Sequence, residues 1–303
     1  MSIIERALNK AKDDGEKLKS FSTNSNKKIT PEIEKVEVIA SNQTEERVIY
    51  TQNQESSVYI QEIENIEWDK LAALGFVTPS NNSSSQAEEE YRTIKRPLLN
   101  NAFGIGSVGI NRSNLILVTS SVPGEGKTYT AINLALSIAN ERDKKVLLID
   151  ADVARPSVSK ALGIKSSPGL IEYLEGQTVE FSDIVLKTNM PGLSVIPAGK
   201  QHKHSTELLT SNRMVQLAEE LSNRYPDRMV IFDSPPLLAA TQGEALAGLV
   251  GQVVLVVEAE KTPQSMVMAS VGKLVFCDVV LVMLNKVKSN MDGNHYGYGT
   301  YGN

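Results

Sequence analysis

The stretch Ser121-Val122-Pro123-Gly124-Glu125-Gly126-Lys127-Thr128 follows at once on the apolar run Leu115–Val118 and opens a helical pattern over Lys127–Asn140. Strand, glycine-rich turn and helix, in that order, build a cradle for phosphate. Gly124 and Gly126 let the backbone turn so that several N–H groups face inward, and the helix N-terminus adds the positive end of its dipole. Lys127 is placed to neutralise the β- and γ-phosphates of ATP, and the Thr128 hydroxyl to ligate Mg2+. The nucleotide-binding set is therefore Pro123, Gly124, Glu125, Gly126, Lys127, Thr128 and Tyr129. Ser121 stands where such loops usually begin with glycine, so a strict pattern search would pass over this one.

Working outward, five more apolar runs repeat the first: Val146–Ile149, Leu193–Ile196, Met229–Phe232, Val253–Val257 and Val279–Leu284. Each is unbroken rather than alternating, as expected of strands buried on both faces of a parallel sheet. Helical patterns fit between them at Asn212–Arg224, Gln242–Leu249 and Pro263–Leu274. The expectation is an α/β fold of the P-loop NTPase kind, a mostly parallel sheet with helices on both faces and ligands at the carboxyl ends of the strands. Two strands end in acid, in Asp150-Ala151-Asp152 and in Asp233-Ser234-Pro235-Pro236. One aspartate after a strand is ordinary turn chemistry. Carboxylates closing two strands beside a phosphate loop make Asp150, Asp152 and Asp233, with Thr128, the candidate metal ligands.

Composition narrows the setting. The 303 residues carry 31 basic and 36 acidic side chains, a net charge of −5, and 41% hydrophobic residues, enough for a core. The mild acidity gives no reason to expect a nucleic-acid binder. One cysteine, Cys277, excludes a disulfide framework and suits a reducing cytoplasm. No apolar run approaches the roughly 20 residues of a membrane-spanning helix, and the N-terminus lacks a signal-peptide pattern. The charge is uneven: residues 1–90 hold 10 basic and 17 acidic residues, while 91–303 hold 21 and 19. Residues 1–85 thus read as a partly disordered extension, with a short amphipathic helix at 3–12, a polar linker at 20–57 and a helix over 63–76. Residues 86–290 form the globular domain, and 291–303 a flexible tail in which Tyr296, Tyr298 and Tyr301 alternate with glycine.

The set VPGEGKT, LLIDADVARP and VIFDSPP resembles the bacterial tyrosine kinase family, with its Walker A, Walker A′ and Walker B motifs. The upstream LAALGFVTP and AEEEYRTIKRPLL resemble the exosortase-associated tyrosine autokinase branch, related to the cytoplasmic half of polysaccharide co-polymerases. The resemblance implies ATP and Mg2+ as cofactors and phosphoryl transfer to the chain's own tail tyrosines. It assigns catalysis to Lys127, Asp150, Asp152 and Asp233, self-association to Glu89, Arg92 and Lys95, and an adenine contact to Asn285. Lys95 replaces a final arginine, and Ala154 stands where the family has arginine; Arg155, one position on, is counted with Asn285 among the nucleotide-binding residues in its place. In this scheme Asp152 orients the incoming tyrosine hydroxyl and accepts its proton late. With a reference pKa of about 3.9 against about 10 for tyrosine, it cannot deprotonate the hydroxyl beforehand.

Three phosphotyrosines would add roughly −4.5 to −6 of charge, enough to separate subunits docked through their tails. The implied partners are further copies of the chain in a ring-like homo-oligomer and a separate membrane activator that recruits it to the inner face of the membrane. The rival reading is a dimerising partitioning or cell-division ATPase on the same fold. Those proteins carry a signature lysine where this chain has Val122.

Overall fold

The computed structural model describes residues 62–79, 85–176, 179–201, 203–225 and 227–288. The helix expected at 3–12, the linker at 20–57 and the tyrosine tail lie outside them. Eight strands form one sheet: β1 (Ile63–Glu64), β2 (Leu115–Ser120), β3 (Lys145–Asp150), β4 (Leu186–Thr188), β5 (Leu193–Ile196), β6 (Arg228–Asp233), β7 (Gln252–Glu258) and β8 (Val279–Asn285). Their spatial order is β1-β4-β5-β3-β6-β2-β7-β8. Pairing is parallel except between β4 and β5, so β1 and β4 run against the other six. All six apolar runs are strands, most of them extended by a residue or two at their ends.

Ten helices complete the described residues: α1 (Trp68–Ala73), α2 (Gln86–Phe103), α3 (Lys127–Ala139), α4 (Val158–Leu162), α5 (Leu170–Glu175), α6 (Phe181–Ile184), α7 (Ser205–Leu208), α8 (Asn212–Arg224), α9 (Thr241–Ala247) and α10 (Gln264–Gly272). The unbroken runs are explained by burial on both faces. Along β2, Leu115 and Leu117 enter one core with Leu217 and Leu221 of α8. Ile116 and Val118 enter the other, with Ile132 and Leu136 of α3. Alternate residues of a strand face opposite ways, so both parities must be apolar here.

The helix expected over 63–76 is a strand followed by a shorter helix. Ile63 and Glu64 pair with Lys187 and Thr188 of β4, and the Ile66 N–H donates to Asn189 Oδ1 at 3.0 Å. Helix geometry therefore starts only at Trp68. Ile66, Leu71 and Val77 are buried in the α3-side core, so residues 62–79 pack as part of it. Helix α2 starts at Ser85, whose Oγ accepts from the Glu88 N–H at 3.2 Å, the N-cap bond that satisfies an otherwise unpaired helix donor.

Candidate active site

β2, β3 and β6 are neighbours in register, so their carboxyl ends meet at one place: Asp150 lies opposite Asp233, and Asp233 opposite Val118. Lys127, the first residue of α3, reaches across with its Nζ 2.7 Å from Asp152 Oδ2 and 3.9 Å from Asp233 Oδ1. Burial opposes the lysine's charge, but Asp233 and Asp152 outweigh it and raise its pKa. Thr128 Oγ1 donates to Asp233 Oδ2 at 2.7 Å and lies 3.0 Å from Ser157 Oγ. Asp150 Oδ2 accepts the N–H groups of Ser157 and Val158, each at 3.0 Å, and so holds the start of α4.

Two oxygens in this cluster accept no hydrogen bond, although one of them, Asp233 Oδ1, has the Lys127 charge 3.9 Å away. Asp150 Oδ1 and Asp233 Oδ1 are both buried and unbonded. Burial pushes both pKa values up; the Asp233 charge adds to it at Asp150, while at Asp233 the Lys127 charge and the Thr128 hydroxyl offset only part of it. Unpaired carboxylate oxygens in a buried place are costly unless a cation is meant to sit there. Two of them, beside a hydroxyl already turned toward Asp233, fit Mg2+. Next to the lysine opens a cleft of about 390 Å3, lined by Lys127, Asp152 and Arg155 and by Pro235, Pro236, Ala239 and Ala240. Arg155 is exposed at its mouth, and its N–H is tied to Asp152 Oδ1 at 3.2 Å and to the Asp152 carbonyl at 3.0 Å.

The far side of the loop is held by Glu125 of the motif itself and by residues outside the motifs. The Glu125 side chain turns away from the cradle and is 1% exposed. It accepts from the Val122 N–H at 2.7 Å, the Glu258 N–H at 3.2 Å and the Thr262 hydroxyl at 2.5 Å. Asn285 Nδ2 donates to the Glu125 carbonyl at 2.8 Å, and Lys286 Nζ to the Gly124 carbonyl at 2.6 Å. A Cβ on Gly126 would come within 2.1 Å of Asn285 Nδ2, and its φ of +99° independently calls for glycine. Ser121, in place of the customary glycine, pairs its hydroxyl with Ser270 of α10 at 2.9 Å.

Tyr129 was expected among the nucleotide-binding residues, but its side chain faces the N-terminal strap instead. Its ring lies 4.8 Å from that of Phe76, and its hydroxyl donates to the Gly75 carbonyl. The Asn133 Oδ1 one turn on accepts the Val77 N–H at 2.7 Å. Of the three residues expected to mediate self-association, Glu89 and Arg92 are exposed and paired at 2.5 Å. Lys95 is not available to a partner: it is 6% exposed, with Nζ 2.6 Å from Glu141 and 2.7 Å from the Ser137 carbonyl. Each three-residue step falls about 60° short of a full helical turn, so two steps rotate residue 95 away from residue 89. Lys95 instead shares the buried stripe of Tyr91 and Leu98.

A family model described as an AAA domain matches residues 113–292. The chain is 34% identical to the tyrosine-protein kinase YwqD of Bacillus subtilis over 71% of its own length and 86% of the relative's. The chain belongs to the bacterial tyrosine-protein kinase family. It is also 35% identical to the tyrosine-protein kinase ptk of Acinetobacter johnsonii over 60% of its length, spanning only 23% of that longer relative. Among solved structures, the kinase domain of the Escherichia coli tyrosine kinase ETK superposes with a TM-score of 0.60 at 26% identity, covering 80% of this chain and 89% of that one. These matches reach the family and stop short of its exosortase-associated branch. No helix among the described residues is long and apolar enough to cross a membrane.

Proposed function

We propose that the protein is an ATP-dependent tyrosine autokinase that phosphorylates Tyr296, Tyr298 and Tyr301 in the tail of a neighbouring copy. The observation that carries this reading is the convergence of Lys127, Asp152, Thr128 and two buried carboxylate oxygens that accept no hydrogen bond at the carboxyl ends of β3 and β6. Asp150, Asp233 and Thr128 would hold Mg2+, which when bound neutralises charge on the β- and γ-phosphates. Lys127 binds the γ-phosphate, exchanging its pairing with Asp152 for the phosphate oxygens. Asp152, freed from the lysine, accepts a hydrogen bond from the tyrosine hydroxyl, aligns it and takes its proton late in the transfer. Arg155, at the mouth of the cleft, is placed to meet negative charge on the substrate side.

Residues 1–85, the Glu89–Arg92 face and the tail are the parts assigned to assembly and to a membrane activator, in the service of exopolysaccharide synthesis or export. The self-association surface is narrowed to Glu89 and Arg92, since Lys95 is engaged within its own chain. The test is incubation of the full chain with Mg-ATP, with and without a membrane activator, followed by phosphotyrosine mapping of wild type, Lys127→Met and a chain ending at Ser289. Label on the three tail tyrosines, lost in both variants, is the expected result. Nucleotide hydrolysis without any tyrosine label would return the protein to the switch-ATPase reading.

A further inference from the structure

We propose that Glu125 is a positioning residue for the nucleotide, acting from the side of the loop opposite the phosphates; the inference rests on the nucleotide reading above. Gly124 and Gly126 flank it with φ of +91° and +99°. Glycine visits both signs of φ freely, so two glycines give the loop its shape only if something else holds it. Pro123 fixes its own φ but brings no N–H. Between the glycines, the Glu125 carboxylate is the one anchored side chain, and it is anchored at three points on two segments.

The carbonyls supply the second half of the argument. Asn285 holds the Glu125 carbonyl, and Lys286 the Gly124 carbonyl, toward the turn after β7 and the end of β8. In a trans peptide the N–H points opposite to the C=O. Holding these two carbonyls outward therefore turns the N–H groups of Glu125 and Gly126 toward the phosphate side. The carboxylate locks the residue that carries one of these carbonyls, so the two N–H groups stand aligned before a nucleotide arrives. Without the lock, binding must order the loop, and affinity falls by that cost.

The geometry also explains how a carboxylate is tolerated in a loop that binds anions. Two of its three donors, in Glu258 at the end of β7 and Thr262 in the turn after it, lie outside the loop, the third is the loop's own Val122 N–H, and charge-assisted hydrogen bonds are the strong ones. Glutamine at this position keeps the shape but turns an N–H2 group toward donors. Thr262→Val removes a single donor and keeps the volume, so it tests the same link with little demand on folding.

The experiment is calorimetric titration of the full chain with Mg2+-ADP, alongside melting of the unliganded protein. Glu125→Gln is expected to weaken Mg2+-ADP about tenfold and Thr262→Val about threefold. The double variant should bind no more weakly than Glu125→Gln alone, because both act on one link. A role confined to holding the fold would lower the melting temperature and leave the affinity of the folded protein unchanged. Affinities within twofold of wild type in both variants overturn the proposal. A wild-type chain that binds no Mg2+-ADP overturns the nucleotide reading and this proposal with it.

Discussion

Two groups of buried carboxylates lie on either side of one loop, and they are treated in opposite ways. On the cradle side, Asp150 and Asp233 each keep one oxygen without a hydrogen bond, and the charge of Asp233 bears on Asp150. On the far side, Glu125 is saturated by three donors. The difference teaches how to read buried charge in this fold. An unsatisfied carboxylate marks the place of a ligand that is still to come, while a satisfied one marks scaffold. The cost of the first is tolerated because binding relieves it; the second stabilises the loop throughout.

The sharpest way to break this contrast is to remove the charge that the cradle is built around. Lys127→Met should lower the initial rate of tyrosine phosphorylation by about 100- to 1000-fold, as loss of a preorganised transition-state contact does elsewhere. An unliganded melting curve close to wild type would show that the loss is chemical rather than structural. Next come the two carboxylate types themselves. Asp150→Asn can still accept from Ser157 and Val158 while shedding the repelling charge, so the unliganded protein should melt about 2–4 °C higher and lose its Mg2+ response. Glu125→Gln should move the other way, melting lower by several degrees because buried donors lose their acceptor. If both substitutions shifted melting in the same direction, the distinction between ligand site and scaffold would fail.

A smaller effect is expected at the N-terminal strap. Phe76→Ala removes the ring pair with Tyr129 and part of the cover over α3, costing about 1–2 kcal/mol in denaturant unfolding. Its effect on Mg2+-ADP affinity should stay well below that of Glu125→Gln, since Phe76 meets the ring of Tyr129 rather than Lys127, Thr128 or Asp152. The smallest stability change belongs to Arg92→Ala, under about 0.5 kcal/mol, because its ion pair with Glu89 is exposed. Sedimentation of this variant should nevertheless show weaker self-association. Lys95→Ala should show the reverse, a destabilised monomer with the exposed face intact.

The cradle side was legible in advance because its elements announce themselves locally. An apolar run of four residues followed by Asp, or within a short turn by Gly-Lys-Thr, needs no knowledge of its neighbours. β1 and β4 were not legible: two and three residues are too few to carry a period, and they exist only because each pairs with another edge. Lys95 misled for the opposite reason. Its spacing matches a surface motif, but helix rotation carries it into the core, where Glu141 and a backbone carbonyl of α3 receive it. Glu125 was legible as part of the loop, but its anchors Glu258 and Thr262, and the role of Lys286, could not be found from spacing, since these contacts span 133–162 residues of chain.

By itself the sequence determined the strand runs, the phosphate loop and the acidic strand ends, because these depend on residue type over a few consecutive positions. Only the tertiary structure decided which carboxylates would be satisfied. That outcome depends on which donors the packed sheet brings within about 3 Å, a distance that spacing along a chain does not set. Glu125 lies inside the phosphate loop and Asp150 ends the strand beside it, but neither position says how many donors its carboxylate will meet. The turn after β7 and the end of β8 make one of them an anchor; the register of β3 with β6 leaves the other open to a cation.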